Sequence, residues 1–141
     1  MNSRIKIKIS VEINESIKRV WRYFTFPAHV CRWNHASDDW HCPEAVSEFA
    51  VNGKFSYRME AKDGSFGFDF SGTFLEIIEY EKIVYILDDN RKVEINFVVD
   101  GDKVIVTEEF EAEEINSIEL QQMGWQAILN NFKNLCENFS E

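Results

Sequence analysis

Four turn dipeptides punctuate the middle of the chain: Asn52-Gly53, Asp63-Gly64, Asp89-Asn90 and Asp100-Gly101. Such pairs tolerate the positive φ values that tight hairpin turns demand. The stretches between them are rich in Val, Ile, Phe and Tyr, which suit a pleated, half-buried surface. A chain punctuated this way folds as successive antiparallel strands. The spacing predicts strands near 45–51, 54–62, 66–78, 82–88, 91–99 and 103–111.

The flanks read differently. Ile5, Ile7, Ile9, Val11 and Ile13 alternate with Lys6, Lys8, Ser10 and Glu12, the period of one more strand. Asn14 then offers a helix N-cap, and Ile17, Val20, Trp21 and Phe24 recur at helical spacing up to Pro27. A second short helix is expected from Ala28 to Trp33. From Asn116 the period is helical again, through Ile118, Gln122 or Met123, Trp125, Leu129, Phe132, Cys136 and Phe139. The order strand, helix, helix, six-strand meander, long helix is α+β. Its sheet can bury one face only by curving around the last helix.

Register follows from the turns. Centring a hairpin on Asp63-Gly64 sets Met59 opposite Phe68, Tyr57 opposite Phe70, and Arg58 opposite Asp69 as an exposed ion pair. The same exercise at the last two turns puts Val84, Ile86, Val93, Ile95, Phe97, Val104 and Val106 on one face. Glu108 shares that apolar face, opposite Val93. Strict pairing about Asn52-Gly53 would set Glu48 beside Tyr57, a conflict that a bulge at Gly53 would relieve.

Composition narrows the function. The 141 residues, with 45% apolar side chains, suit one domain spanning 1–141. Fifteen basic against twenty-five acidic residues leave a net charge of −10, which disfavours nucleic acid and anionic membranes as partners. No apolar run is long enough to span a bilayer, and the start shows no signal-peptide core, so a cytoplasmic location is expected. Cys31, Cys42 and Cys136 lack CxxC spacing and read as reduced thiols.

Several strings, in this order, resemble one family. Ile17-Lys18-Arg19-Val20-Trp21 resembles an "I-x-x-V-W" first helix, followed by Trp33 in an "x-x-R-W" position. Val51 to Met59 is similar to a "G-G-x-F-x-x-x-M" hairpin, with Asn52 in place of the first Gly. Phe70 to Ile77 resembles "F-x-G-x-x-x-E-V", and Gly124-Trp125 opens a "G-W-x-x-x-L-x-x-L"-like helix. Together they resemble the branch named for the activator of heat-shock protein 90 ATPase. That branch belongs to the helix-grip superfamily of START-like lipid-binding domains, pollen allergens and polyketide cyclases. The resemblance implies an elongated cavity between a curved sheet and the last helix. Activation of the chaperone ATPase belongs to larger proteins with a further N-terminal domain, so a chaperone partner is disfavoured.

Three functions compete. In the first, Phe55, Tyr57, Met59, Phe68, Phe70, Ile95, Phe97, Trp125 and Leu129 wall a pocket for an apolar small molecule or lipid. Tyr57, Glu108, Gln121 and Gln122 would supply polar handles, Trp33 and Trp40 a rim, and the loop His35–Cys42 a lid. The plain alternative is that these side chains fill one another's space. In the second, the chain is an enzyme. Glu108, buried among valines, would act as acid or base with a raised pKa, as in a polyketide cyclase. His29, Cys31, His35, Asp38, Asp39, His41 and Cys42 are zinc-ligand types and parts of a Cys–His nucleophile, but they lack metal-site spacing. No metal or other cofactor is therefore expected. In the third, the acidic run Glu108, Glu109, Glu111, Glu113, Glu114 and Glu119 docks a protein partner, with a second copy of the chain as another candidate.

Overall fold

In a computed structural model the structure describes residues 4–139. Met1 to Ser3, the first half of the Met1 to Lys6 stretch on which the reading of no signal-peptide core rests, lie outside the described residues. The elements are β1 (Lys6–Ile13), α1 (Ile17–Thr25), α2 (Pro27–Trp33), β2 (Trp40–Ser47), β3 (Lys54–Ala61), β4 (Gly67–Ile78), β5 (Lys82–Leu87), β6 (Lys92–Asp100), β7 (Lys103–Glu111) and α3 (Ile118–Asn138). Seven strands form one antiparallel sheet in the order β1-β7-β6-β5-β4-β3-β2. The meander runs through β2 to β7, and the first strand closes it at the far edge. The α+β helix-grip architecture is thus the one present.

The helices sit where local chemistry starts and stops them. Ser16, two residues beyond the expected Asn14, caps α1 by accepting from Arg19 N at 3.3 Å. Asn14 instead donates its backbone N–H to Glu137 Oε2 at 2.8 Å, tying the start of the chain to the end of α3. Pro27 ends α1 and opens α2, because its ring lacks an N–H but presets a helical φ. Trp33 Nε1 donates to Tyr23 O at 2.8 Å and locks the two short helices together. α3 lies along β1 and against α1 and α2, burying Leu129, Phe132 and Cys136. After Ile118 the next inward position is Gln121, correcting the expected Gln122 or Met123, both of which are exposed.

The sheet registers test the turn reading. About Asp63-Gly64 the pairs are those expected: Met59 with Phe68, Tyr57 with Phe70, Arg58 with Asp69. The Arg58–Asp69 ion pair forms at 3.4 Å. About Asp89-Asn90 the expectation fails by one residue. Leu87 N bonds Arg91 O at 2.8 Å, leaving a three-residue loop with Asn90 at φ 71°. Ile83 therefore faces Ile95 and Tyr85 faces Val93, so Ile83 and Tyr85 point inward in place of Val84 and Ile86. At the last turn Asp100 pairs with Lys103, which keeps the faces but moves Glu108 opposite Ile95. The turn near Asn52 is longer than a two-residue hairpin, with Ser47 opposite Phe55 and Ala45 opposite Tyr57. A Cβ on Gly53 would stand 2.0 Å from Glu48 O, so this connection requires glycine. The register shift in β2 falls between His41 and Glu44, not at Gly53.

Candidate functional site

Beneath the N-terminal half of α3 the inner face of β3 and β4 carries Tyr57, Met59, Phe68 and Phe70. α3 reaches over it with Trp125 and Ile128, while Trp33 closes the side from α2. These rings do not fill the space between them. A cavity of about 150 Å³ remains, and its wall is mostly aromatic. Trp125 stacks on Phe110 at 3.8 Å and meets Phe70 edge-on at 5.8 Å, which fixes the indole at the cavity edge.

Among the described lining residues none is Lys, Arg or His, and Glu108 is the one carboxyl. It points inward from β7, opposite Ile95 on β6 and Ile9 on β1. Among the described residues no group lies within hydrogen-bond distance of its carboxyl. Lys103 pairs with Glu12 at 3.7 Å and Arg91 with Asp89 at 2.8 Å, so neither neutralises it. Burial alone pushes its pKa up from 4.5 to about 8. At neutral pH the group is a protonated acid that can donate one hydrogen bond into the cavity. The phenols of Tyr57 and Tyr85, both on the wall, are likewise raised by burial and stay neutral.

The structure brings together seven of the sequence-derived pocket residues: Trp33, Tyr57, Met59, Phe68, Phe70, Glu108 and Trp125. Six stand elsewhere. Phe55, Ile95, Phe97 and Leu129 are 4% exposed or less and belong to the closed core behind the wall. Gln121 is spent on the β7–α3 connection: its Oε1 accepts from Glu113 N at 2.9 Å, and its Nε2 donates to Asn116 O at 2.8 Å. Trp40 opens β2 and packs against Phe66 and Phe68, so it reaches the wall residue Phe68 from outside and is not itself part of the lining. The expected loop is shorter than His35–Cys42, because Trp40 to Cys42 belong to the edge strand β2, with Trp40 opposite Ala61 and His41 opposite Glu60, and only its residues His35 to Asp39 lie in the connection from α2.

Sequence reasoning missed other wall residues. Tyr85 and Ile83 were lost to the one-residue slip at Asp89-Asn90. Phe24, in the α1 stripe, stacks on Trp33 at 5.3 Å and reaches the wall with it. Ile128 neighbours Leu129 and is the helical-spacing partner of Trp125. Asn34 and Phe49, in connections, carried no periodic signal.

The remaining candidate groups are dispersed. Among the described residues no three His, Cys, Asp or Glu side chains converge to hold a metal ion. His41 lies 3.7 Å from Glu60 on the outer strand pair, and His29 packs on Tyr23 and Phe139. Burial, together with the neighbouring Cys31 thiol, pushes the Cys42 thiol up to about 12, the wrong direction for a nucleophile. The acidic run is divided: Glu108 faces in, Glu111 accepts from Lys92 N at 2.6 Å, and Glu113 accepts from Asn116 N at 2.6 Å. No described helix is long and apolar enough to cross a membrane.

Comparison with solved structures agrees with this architecture. An AHSA1-like protein from Aeromonas hydrophila is 38% identical, with 96% of this chain and 99% of that one covered at a TM-score of 0.84. Chr148 from Cytophaga hutchinsonii is 44% identical over 94% of this chain and 92% of its own, at 0.83. The Aha1 protein from Colwellia psychrerythraea, described as a dimer, shares the fold at 10% identity and a TM-score of 0.74, covering 97% of this chain and 99% of its own. No curated protein matches the chain. The family model described as Activator of Hsp90 ATPase homolog 1-like protein matches residues 14–137, and the chain belongs to that family.

Proposed function

We propose that residues 1–141 act as a single cytoplasmic binding domain that holds an apolar or weakly polar small molecule in the cavity beneath α3. One observation carries this reading: a sheet-and-helix core this tightly packed elsewhere keeps about 150 Å³ free behind an aromatic wall with one carboxyl. That volume suits a single ring or the end of a short lipid chain; an apolar cavity of similar size accepts benzene. Protonated Glu108 would orient the occupant with one hydrogen bond, and the rings would supply the buried contact area.

A second reading, general acid or base catalysis by Glu108, draws on the same raised pKa. It lacks a second carboxylate or a base on the wall to complete a proton transfer. The Hsp90 ATPase in the family's name is a weaker lead here, since Glu108 of the acidic run faces the core and Glu111 and Glu113 accept from backbone N–H groups of their own chain.

Native mass spectrometry of protein purified from cells, followed by a thermal-shift panel of small aromatics and lipids, tests the binding role. A co-purified apolar molecule, or a reproducible rise in Tm with compact aromatic compounds, is expected. Stabilisation by nucleotides or acyl phosphates alone would contradict it, because the wall offers no base.

A further inference from the structure

We infer that the cavity selects a small organic cation with a flat apolar body, an arylalkylammonium, with the Glu108 carboxylate as counter-charge and the rings of Tyr57, Phe70, Tyr85 and Trp125 around it. The inference rests on the cavity being a ligand site and adds the charge of the ligand.

The wall composition argues for it first. Nine of the fifteen lining residues are aromatic and none is Lys, Arg or His. Ring faces carry negative potential and attract a desolvated cation. An anion would find no Lys, Arg or His on the wall to balance its charge. The second argument is the unpartnered acid. Glu108 is 8% exposed, and Lys103 and Arg91, bases on the neighbouring strand ends, are engaged with Glu12 and Asp89. A buried carboxyl with no hydrogen-bond partner is held at a cost that an incoming ammonium group, donating to it, removes. The third is shape. The carboxyl stands on β7 opposite Ile95 and Ile9, at the back of the cavity, while Phe68 and Phe49 are 44% and 36% exposed and mark the wet side. A ligand entering with its ammonium foremost leaves its apolar body among the rings.

The proton balance gives the inference a signature. In the empty protein the carboxyl is protonated, since burial raises its pKa to about 8. Binding then reads R–NH3+ plus Glu108–COOH giving the R–NH3+···−OOC pair and one proton released to water. Other groups facing Glu108 do not blur this. Tyr85 from β5 and Tyr57 from β3 are phenols held neutral, Ile95, Ile9 and Ile128 carry no charge, and Trp125 does not titrate. Arg91, whose charge reaches Tyr85, stays paired with Asp89.

The test is isothermal titration of the full chain with benzylammonium, benzyl alcohol and benzoate, from about pH 5 to about pH 8. Benzylammonium affinity should rise close to tenfold per pH unit over this range, with about one proton released per ligand near pH 6. Benzyl alcohol should bind without that pH dependence, and benzoate should not bind. Glu108→Gln, checked for a cooperative melt, should abolish the pH rise for benzylammonium. If the alcohol binds and the ammonium shows neither pH rise nor proton release, the cation inference fails while the apolar pocket stands. If none of the three binds the wild-type protein, the pocket reading fails and this inference falls with it.

Discussion

The two ends of the sheet are built from different side chains, and they pack differently. Across β6, β7 and the C-terminal half of α3, Val93, Ile95, Val104, Val106, Leu129 and Phe132 are at most 1% exposed. Across β3, β4 and the N-terminal half of α3, Tyr57, Phe70 and Trp125 keep uncovered surface that faces the cavity. Branched aliphatic side chains interlock at the scale of a methyl group and close a core. Planar rings on neighbouring strands meet tilted or edge-on, as Phe55 does with Phe70 at 6.2 Å and 42°, and Phe70 with Tyr85 at 88°. Such wedges leave room unless small side chains fill it. Here Glu108 stands in the remaining space, and a carboxyl is a poor filler. The same fold thus holds a closed end that supplies stability and an open end that supplies a site.

Truncation should separate the two ends most sharply. Phe132→Ala opens a void in the closed end, and its expected cost is about 3–5 kcal/mol in denaturant unfolding. Trp125→Ala enlarges a space that already exists, so its cost should be nearer 2 kcal/mol, mostly the lost stack on Phe110. Equal costs would mean that the aromatic end is packed as tightly as the aliphatic one.

The pH dependence sharpens the contrast next. The folded state keeps a proton on Glu108 up to about pH 8, whereas the unfolded chain loses it near 4.5. The folded state therefore binds more protons in that window, and this group's contribution to stability falls as pH rises, levelling off above pH 8. Glu108→Gln removes the penalty. Its stability advantage over wild type should grow by about 1.4 kcal/mol per pH unit between those values, read from paired urea melts. A difference that stays constant with pH would place the carboxyl in water.

How far the sequence carried this picture depends on loop parity. At Asp63-Gly64 the connection is symmetric about the dipeptide, so every pair from Tyr57 to Phe70 was legible to the residue. At Asp89-Asn90 the loop holds an odd number of residues, and an odd loop turns the next strand over. Nothing in the dipeptide distinguishes the two cases, so Tyr85 was assigned to the wrong face. Glu108 was placed on the inner face because Val104 and Val106 fix its parity. Leu129, Ile95 and Phe97 were misjudged for another reason: periodicity names the buried face but not how deeply each side chain is covered. The sequence makes Gln121 a cavity handle, since it does not show that three backbone groups of a neighbouring turn claim the amide.

A smaller effect follows from that turn. Gln121→Leu leaves Glu113 N–H and the Asn116 carbonyl without their partners at the mouth of α3, at an expected cost of about 1–2 kcal/mol. Ligand affinity in the cavity should stay as in wild type, because the Gln121 amide points away from it. A loss of affinity with unchanged stability would restore Gln121 to the site.

The most direct measurement is the electron density of crystals pressurised with xenon, which enters apolar cavities and is excluded from closed cores. The account predicts a xenon peak among Tyr57, Phe70, Tyr85 and Trp125, and none among Ile95, Val106, Leu129 and Phe132. Density without xenon beneath Trp125, with the rings closed onto Glu108, would contradict it.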